Sequence, residues 1–296
     1  MLEPGRAHAQ VEPQPSSPAL EAVRAPVEGS LERFLGDRRA ELAAMAPDSV
    51  GLVDEIVRLV RAGGKRFRPA LCSWAYRAAG GARVEPILRV GVALELLHTS
   101  AIVHDDVMDG SAERRGVPAT HVRFAIEAPP GTDPGAFGLA NAILVGDLAL
   151  VLSEQALRTS GFDGDALGRA TARFGRMRVE MAAGQYLDVS GSPDRTRVSA
   201  LKSGSYTSEG PVLIGCALAE AAPAVEGALR VYARLVGEAF QLRDDVLDGD
   251  AEPGAVAHIG RLLDRATLTL DGVPLEPEAG AALAELAGLL RFPGGG

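Results

Sequence analysis

The 296-residue sequence predicts a single all-α domain. Three observations carry that expectation. The composition is 47% hydrophobic and 23% charged with only 4% aromatics, and Ala and Leu dominate, a mixture that favours helix over sheet. Apolar residues recur at helical spacing, and no stretch of useful length alternates apolar with polar residues as a half-buried strand would. Beyond the N-terminal tail no shift in composition marks a boundary, so the helices share one core.

Residues 1–29 hold Pro4, Pro13, Pro15, Pro18 and Pro26 among few large apolar groups, and are expected to be a disordered tail before a domain over 30–296. From Ser30, Leu31, Phe34, Leu35, Leu42 and Met45 mark a first helix, broken at Pro47-Asp48. Leu52, Ile56, Leu59 and Val60 mark the next, ended by Gly63-Gly64. A helix opens near Pro69 and runs to about Ala79. After Pro86 comes a long helix, apolar nearly all round from Ile87 to Val103 and therefore expected at the centre. Pro and Gly make 128–138 a loop, and helices are expected over 139–160 and 165–188. Lys202–Thr207 interrupts the pattern before an apolar helix to Ala222. A further helix covers 225–248, with two more near 257–270 and 277–291.

Several classes of function are excluded. A net charge of -9 argues against nucleic acid as the main partner. Cys72 and Cys216 form no disulfide framework or metal spacing, which suits a reducing cytoplasm. No secretory signal opens the chain, and no apolar run is read as reaching the about 18 residues that cross a bilayer, so no transmembrane segment is expected.

Two acidic runs stand apart from this background. Asp105-Asp106-Val107-Met108-Asp109 recurs as Asp244-Asp245-Val246-Leu247-Asp248. Each places carboxylates at i, i+1 and i+4, within about one 100° arc of a helix. Like charges so crowded destabilise a helix, and at its C-terminus they also oppose the dipole. Two such faces ending apolar helices point to bound divalent cations, with Mg²⁺ able to hold a polyphosphate between them. Basic residues at helix boundaries supply the complement. Gly64-Lys65-x-x-Arg68-Pro69, Arg114-Arg115 and Lys202 include both lysines of the chain, whereas Arg66 and Arg123 are expected to be ordinary surface charges.

Taken together these segments resemble the trans-polyprenyl diphosphate (isoprenyl diphosphate) synthases. The matching pieces are Gly63–Pro69, Glu95–Asp109, Arg114-Arg115-Gly116, Gly146-Asp147, Gly184–Asp188, Lys202–Thr207 and Phe240–Asp248, in family order. The resemblance implies a single-domain helical bundle of the isoprenoid synthase type around a central cavity, a homodimer, and Mg²⁺-dependent condensation of isopentenyl diphosphate with an allylic diphosphate. It implies that Asp105, Asp109 and Asp244 bind the metal, with Arg114, Lys202 and Gln241 assisting at the allylic diphosphate. Asp105, Asp106, Asp109, Lys202 and Asp244 are the expected catalytic set. Lys65, Arg68, His98 and Arg115 are expected at isopentenyl diphosphate, and His104 is given no role.

In this family, residues four and five positions before the first aspartate bear on the floor of the product cavity. Here Ala101 and Ser100 are small, which leans towards geranylgeranyl diphosphate as product. The chain departs from the family after Asp248, where Gly249–Ala255 carries no lysine and only 48 residues remain. Arg261 or Arg265 could replace the missing cation. Two alternatives follow, a weakly catalytic subunit of a heteromeric prenyl synthase and a class I terpene cyclase. The altered tail favours the first. Scarce aromatics and the retained isopentenyl-site residues count against the second, because cyclases steer cations with aromatic walls.

Overall fold

A computed structural model describes residues 16–292, and helices make up about three quarters of it. In chain order they are α1 (Pro18–Met45), α2 (Gly51–Arg61), α3 (Phe67–Ala78), α4 (Val84–Met108), α5 (Thr120–Ile126), α6 (Pro134–Arg158) and α7 (Gly164–Val189). A short α8 (Arg195–Ser199) leads into a π-helix (Ala200–Glu209), followed by α9 (Gly210–Leu218), α10 (Pro223–Asp248), α11 (Ala255–Leu268) and α12 (Pro277–Gly288). The only sheet among the described residues pairs β1 (Glu113–Arg114) with β2 (Val117–Pro118).

The expected disordered tail is corrected from residue 16 on; residues 1–15 lie outside the described residues. Ser17 caps α1 by accepting the Leu20 amide at 3.2 Å, and Pro18 takes the first turn, where its missing N–H is harmless. Leu20, Val23, Val27, Leu31 and Phe34 then form one buried stripe at helical spacing. That stripe holds Pro26 inside the helix despite its lost hydrogen bond.

Helix α4 is central as expected, packed between α1, α3 and α6 and buried along most of its length. Both α4 and α6 are long and apolar enough to cross a bilayer by length and composition, which corrects the sequence reading. The apolar window of α4 is 72% buried inside the fold, whereas that of α6 is only 33% buried. Helix α6 begins at Pro134, inside the expected loop, because Asp133 accepts the amides of Gly135 and Ala136 at 2.9 and 3.2 Å.

Arg66 and Arg123 are not surface charges. Arg66 is 5% exposed and ion-paired at 2.7 Å with buried Glu95. Arg123 joins Arg58 and Thr120 around the fully buried Glu55, tying α5 to α2. Sequence position alone does not reveal these buried ion pairs.

Candidate active site

Three kinds of element end at one pole of the bundle. The C-terminal turns of α4 and α10 deliver the two acidic runs. The N-terminus of α3 brings Lys65 and Arg68, and the β1–β2 hairpin brings Arg114 and Arg115. Arg115 and Gly116 form the two-residue loop of that hairpin with φ of 54° and 75°, both left-handed as a tight twisted hairpin demands. Arg66 is also left-handed, with φ of 51°, and turns the chain into α3. Such backbone outliers concentrate at functional sites.

Between these elements lies a cavity of about 390 Å³. Lys65, Arg68, His98, Ala101, Asp105, Arg114, Arg115, Lys202 and Asp244 all line it. Arg68 donates to Thr207 Oγ1 at 3.1 Å and lies 4.3 Å from the centre of the Tyr206 ring. The Tyr206 hydroxyl is 3.4 Å from His98 Nδ1. Burial, reinforced by Arg68, Arg115, Arg114 and Arg66, holds the His98 pKa well below its ordinary value, so the imidazole is neutral. Burial also lowers Arg115, with Arg66 and Arg114 adding repulsion. So many cations around one pocket suit a polyanionic ligand.

A wider cleft of about 1440 Å³ adjoins the cavity. Asp109, Asp188, Gln241, Asp245 and Asp248 line it, and Lys202 lines both spaces. The Lys202 ammonium stands 2.8 Å from Asp188 Oδ2 and 3.1 Å from Asp105 Oδ1. Burial opposes that charge, but the hydrogen bond to Asp188 and the Asp105 charge outweigh it and raise the Lys202 pKa. Gln185 donates to Asp105 at 2.9 Å, and Gln241 donates to Asp245 at 3.0 Å.

The π-helix sets this position. One residue wider per turn than an α-helix, it points Lys202, Tyr206 and Thr207 at the same cavity. It approaches α7 so closely that a Cβ on Gly184 would fall 2.3 Å from the Lys202 nitrogen.

Two expected residues lie elsewhere. Asp106 is 1% exposed and accepts from Arg114 Nε at 2.8 Å and from Nη2, so it anchors Arg114 without opening on the cavity. Ser100 is 2% exposed and is packed in the core, whereas Ala101 faces the cavity. Helical rotation of 100° separates the two neighbours. Conversely, Gln185, Asp188, Tyr206 and Thr207 escaped the expected site set although they stand in the matched segments. The i, i+3 spacing of Gln185 and Asp188 puts both on one face of α7 and was the available signal.

The acids fit a hard cation. Burial, most of all, raises the Asp244 pKa to about 6, against the opposing effect of Lys65 and Arg243. Burial and the Asp105 charge raise Asp109. At both carboxyls burial outweighs the positive charge nearby. Among the described residues no three His, Cys, Asp or Glu converge on one point.

The substitutes offered for the missing lysine are placed differently. Arg261 Nη2 leans on His258 Nδ1 at 3.3 Å, and Arg265 is exposed. His258, 3.5 Å from Glu238, is the residue of α11 that lines the wider cleft.

Comparison with known proteins gives the same family as the motifs. The sequence profile of polyprenyl synthetase matches residues 51–260. The chain is 33% identical over 284 residues to a geranylgeranyl diphosphate synthase of Mycobacterium tuberculosis, covering 93% of this chain and 76% of that one. It is 34% identical to one from Methanosarcina mazei, over 64% of this chain but only 56% of the relative's length. In structure it is similar to a geranylgeranyl pyrophosphate synthase of Corynebacterium glutamicum solved with isoprenyl diphosphate and magnesium. The TM-score is 0.77 at 26% identity, over 91% of this chain and 97% of that one.

Proposed function

We propose that this chain, which belongs to the polyprenyl synthetase family, is a trans-prenyltransferase. It joins isopentenyl diphosphate to an allylic diphosphate, with geranylgeranyl diphosphate as the product. The observation that carries the reading is the division of charge at one pole. A cation-lined cavity adjoins two acidic runs, and Lys202 lies between them.

In this reading Lys65, Arg68 and Arg115 hold the diphosphate of isopentenyl diphosphate, Arg through forked contacts and Lys as a point charge. His98, neutral among arginines, donates or accepts one hydrogen bond without adding charge. Asp105, Asp109 and Asp244 would hold Mg²⁺, a role supported by the burial that raises Asp109 and Asp244 despite the cations nearby. When bound, Mg²⁺ neutralises charge developing on the leaving diphosphate. Lys202, Arg114 and Gln241 flank that group and fix its orientation. The allylic carbon, once ionised, is attacked by the alkene of isopentenyl diphosphate, and a proton then leaves with the departed diphosphate as base. Phe67 and Phe240, stacked at 5.9 Å, and Ala101 and Ile102 wall the cavity with apolar surface that keeps water from the cation.

The protein assembles as a homodimer through α6 and α7. Leu139, Ile143, Leu144 and Val151 of α6 are exposed, as are Val179, Tyr186 and Val189 of α7. Apolar stripes of that size on adjacent helices are covered in most proteins, and a second copy supplies the same stripe in return. A reducing, cytoplasmic location belongs to the same reading, supported by Cys72 and Cys216, both buried and unpaired.

The test is purified protein with Mg²⁺, geranyl or farnesyl diphosphate and labelled isopentenyl diphosphate. Elongation is expected. Cyclic hydrocarbon formed without isopentenyl diphosphate, or inactivity relieved only by a second protein, would replace this reading with a cyclase or a heteromeric subunit.

A further inference from the structure

Helices α4 and α6 meet at a notch beside the exposed stripe of α6. A Cβ on Gly146 would fall 2.1 Å from His104 Nε2, so the imidazole is seated directly on the α6 backbone. In that seat Nε2 is 3.5 Å from the Ile143 carbonyl and 3.7 Å from Asp147 Oδ1. Ile143 and Asp147 are exposed, one turn apart, on the face that also carries Leu139, Leu144 and Val151. The acid next along that face, Glu154, is engaged by Arg178 at 2.7 Å, whereas Asp147 stands beside His104. On the other side, His104 directly precedes Asp105, which Lys202 and Gln185 engage.

The geometry points to Asp147 and His104 as a positioning pair that couples the subunit interface to the first acidic run. In the separate subunit, the Asp147 side chain is 64% exposed and its 3.7 Å contact competes with water. Closing a second copy over α6 strips that water away. A carboxylate so buried requires a partner, and His104 is the group within reach. Fixing the ring in its notch fixes the last turn of α4, and with it the direction of Asp105. Neither residue lines the cavity or the cleft, so neither touches substrate. The inference rests on the homodimer and on the metal role of Asp105 given above.

The experiment compares wild type with Asp147→Leu and Asp147→Asn. Sedimentation velocity reads the dimer, and calorimetric titration of Mg²⁺ in the presence of inorganic pyrophosphate reads the acidic run. Asp147→Leu is expected to keep or tighten the dimer, since it replaces a buried charge with apolar surface. Its Mg²⁺ affinity is expected to weaken about fivefold, the size of one lost hydrogen bond. Asp147→Asn, which can still accept from His104, is expected to recover most of that affinity. A dimeric Asp147→Leu with wild-type Mg²⁺ affinity overturns the coupling. A wild type that stays monomeric at micromolar concentration overturns the homodimer premise and the coupling together. Normal Mg²⁺ titrations with no elongation activity would count against the proposed reaction instead.

Discussion

The ammonium of Lys202 stands 3.1 Å from the carboxylate of Asp105, across the boundary between the cation-lined cavity and the acidic cleft. Asp188 holds the same ammonium at 2.8 Å from the other side. Lys202 thus occupies one of the oxygens that the proposed metal would use.

Replacing it should therefore have two opposite effects. Lys202→Met is expected to raise KM for the allylic diphosphate roughly 10- to 100-fold, the loss of one charge-assisted phosphate contact. It should also lower the Mg²⁺ concentration for half-activation, because Asp105 loses its competing cation. Steady-state kinetics across a Mg²⁺ series reads both, and an increased Mg²⁺ requirement would contradict the competition.

Burial raises the Asp244 carboxyl to about 6, above the range of an exposed aspartate. Between about pH 4 and pH 6 the folded protein therefore holds a proton that the unfolded chain has released. Its stability, measured without metal, should fall as pH rises through that window. Asp244→Asn should flatten this component of the profile, and denaturant melts at successive pH values check it. An unchanged slope in the variant would remove Asp244 as the source.

Arg66 and Glu95 form a buried pair in the cavity wall, with Arg66 Nη2 also donating to the Val60 carbonyl at 2.7 Å. Removing Glu95 leaves the buried Arg66 with Glu28, 3.3 Å away, as its acidic partner. Glu95→Ala is expected to destabilise by about 3–5 kcal/mol. Replacing both with apolar residues should recover much of the loss, which a double-mutant cycle on unfolding free energy measures.

The sequence-derived pair at the cavity floor should behave unequally. Ala101→Phe intrudes on the cavity and should shorten the product, as chromatography of reaction products would show. Ser100→Phe overpacks the core and should destabilise by about 1–3 kcal/mol, with little direct effect on length. A shortened product from Ser100→Phe in a stable protein would contradict this placement.

These contrasts show where sequence reading stops. Acid runs, basic boundaries and the apolar centre of α4 were legible because periodicity and charge are written residue by residue. The prolines before Ser30 point to disorder, but the stripe of Leu20, Val23 and Val27 holds that stretch in a buried helix. The π-helix was read as an interruption, since its register comes from close packing at Gly184 and not from Lys202–Thr207 alone. Arg66 and Ser100 both stand in surroundings that the sequence does not show, for one reason. A residue's neighbours across helices decide whether it faces water, core or cavity, and one chain's spacing does not contain them.

The central claim is that the two acidic runs act together in ionising an allylic diphosphate. The most direct measurement is kcat for elongation by Asp105→Ala and Asp244→Ala, each checked for an unchanged thermal melt and helical circular dichroism. Losing the carboxylates that hold charge at the leaving group should reduce kcat by at least about 100-fold in each variant. Near-normal turnover in either folded variant would contradict it.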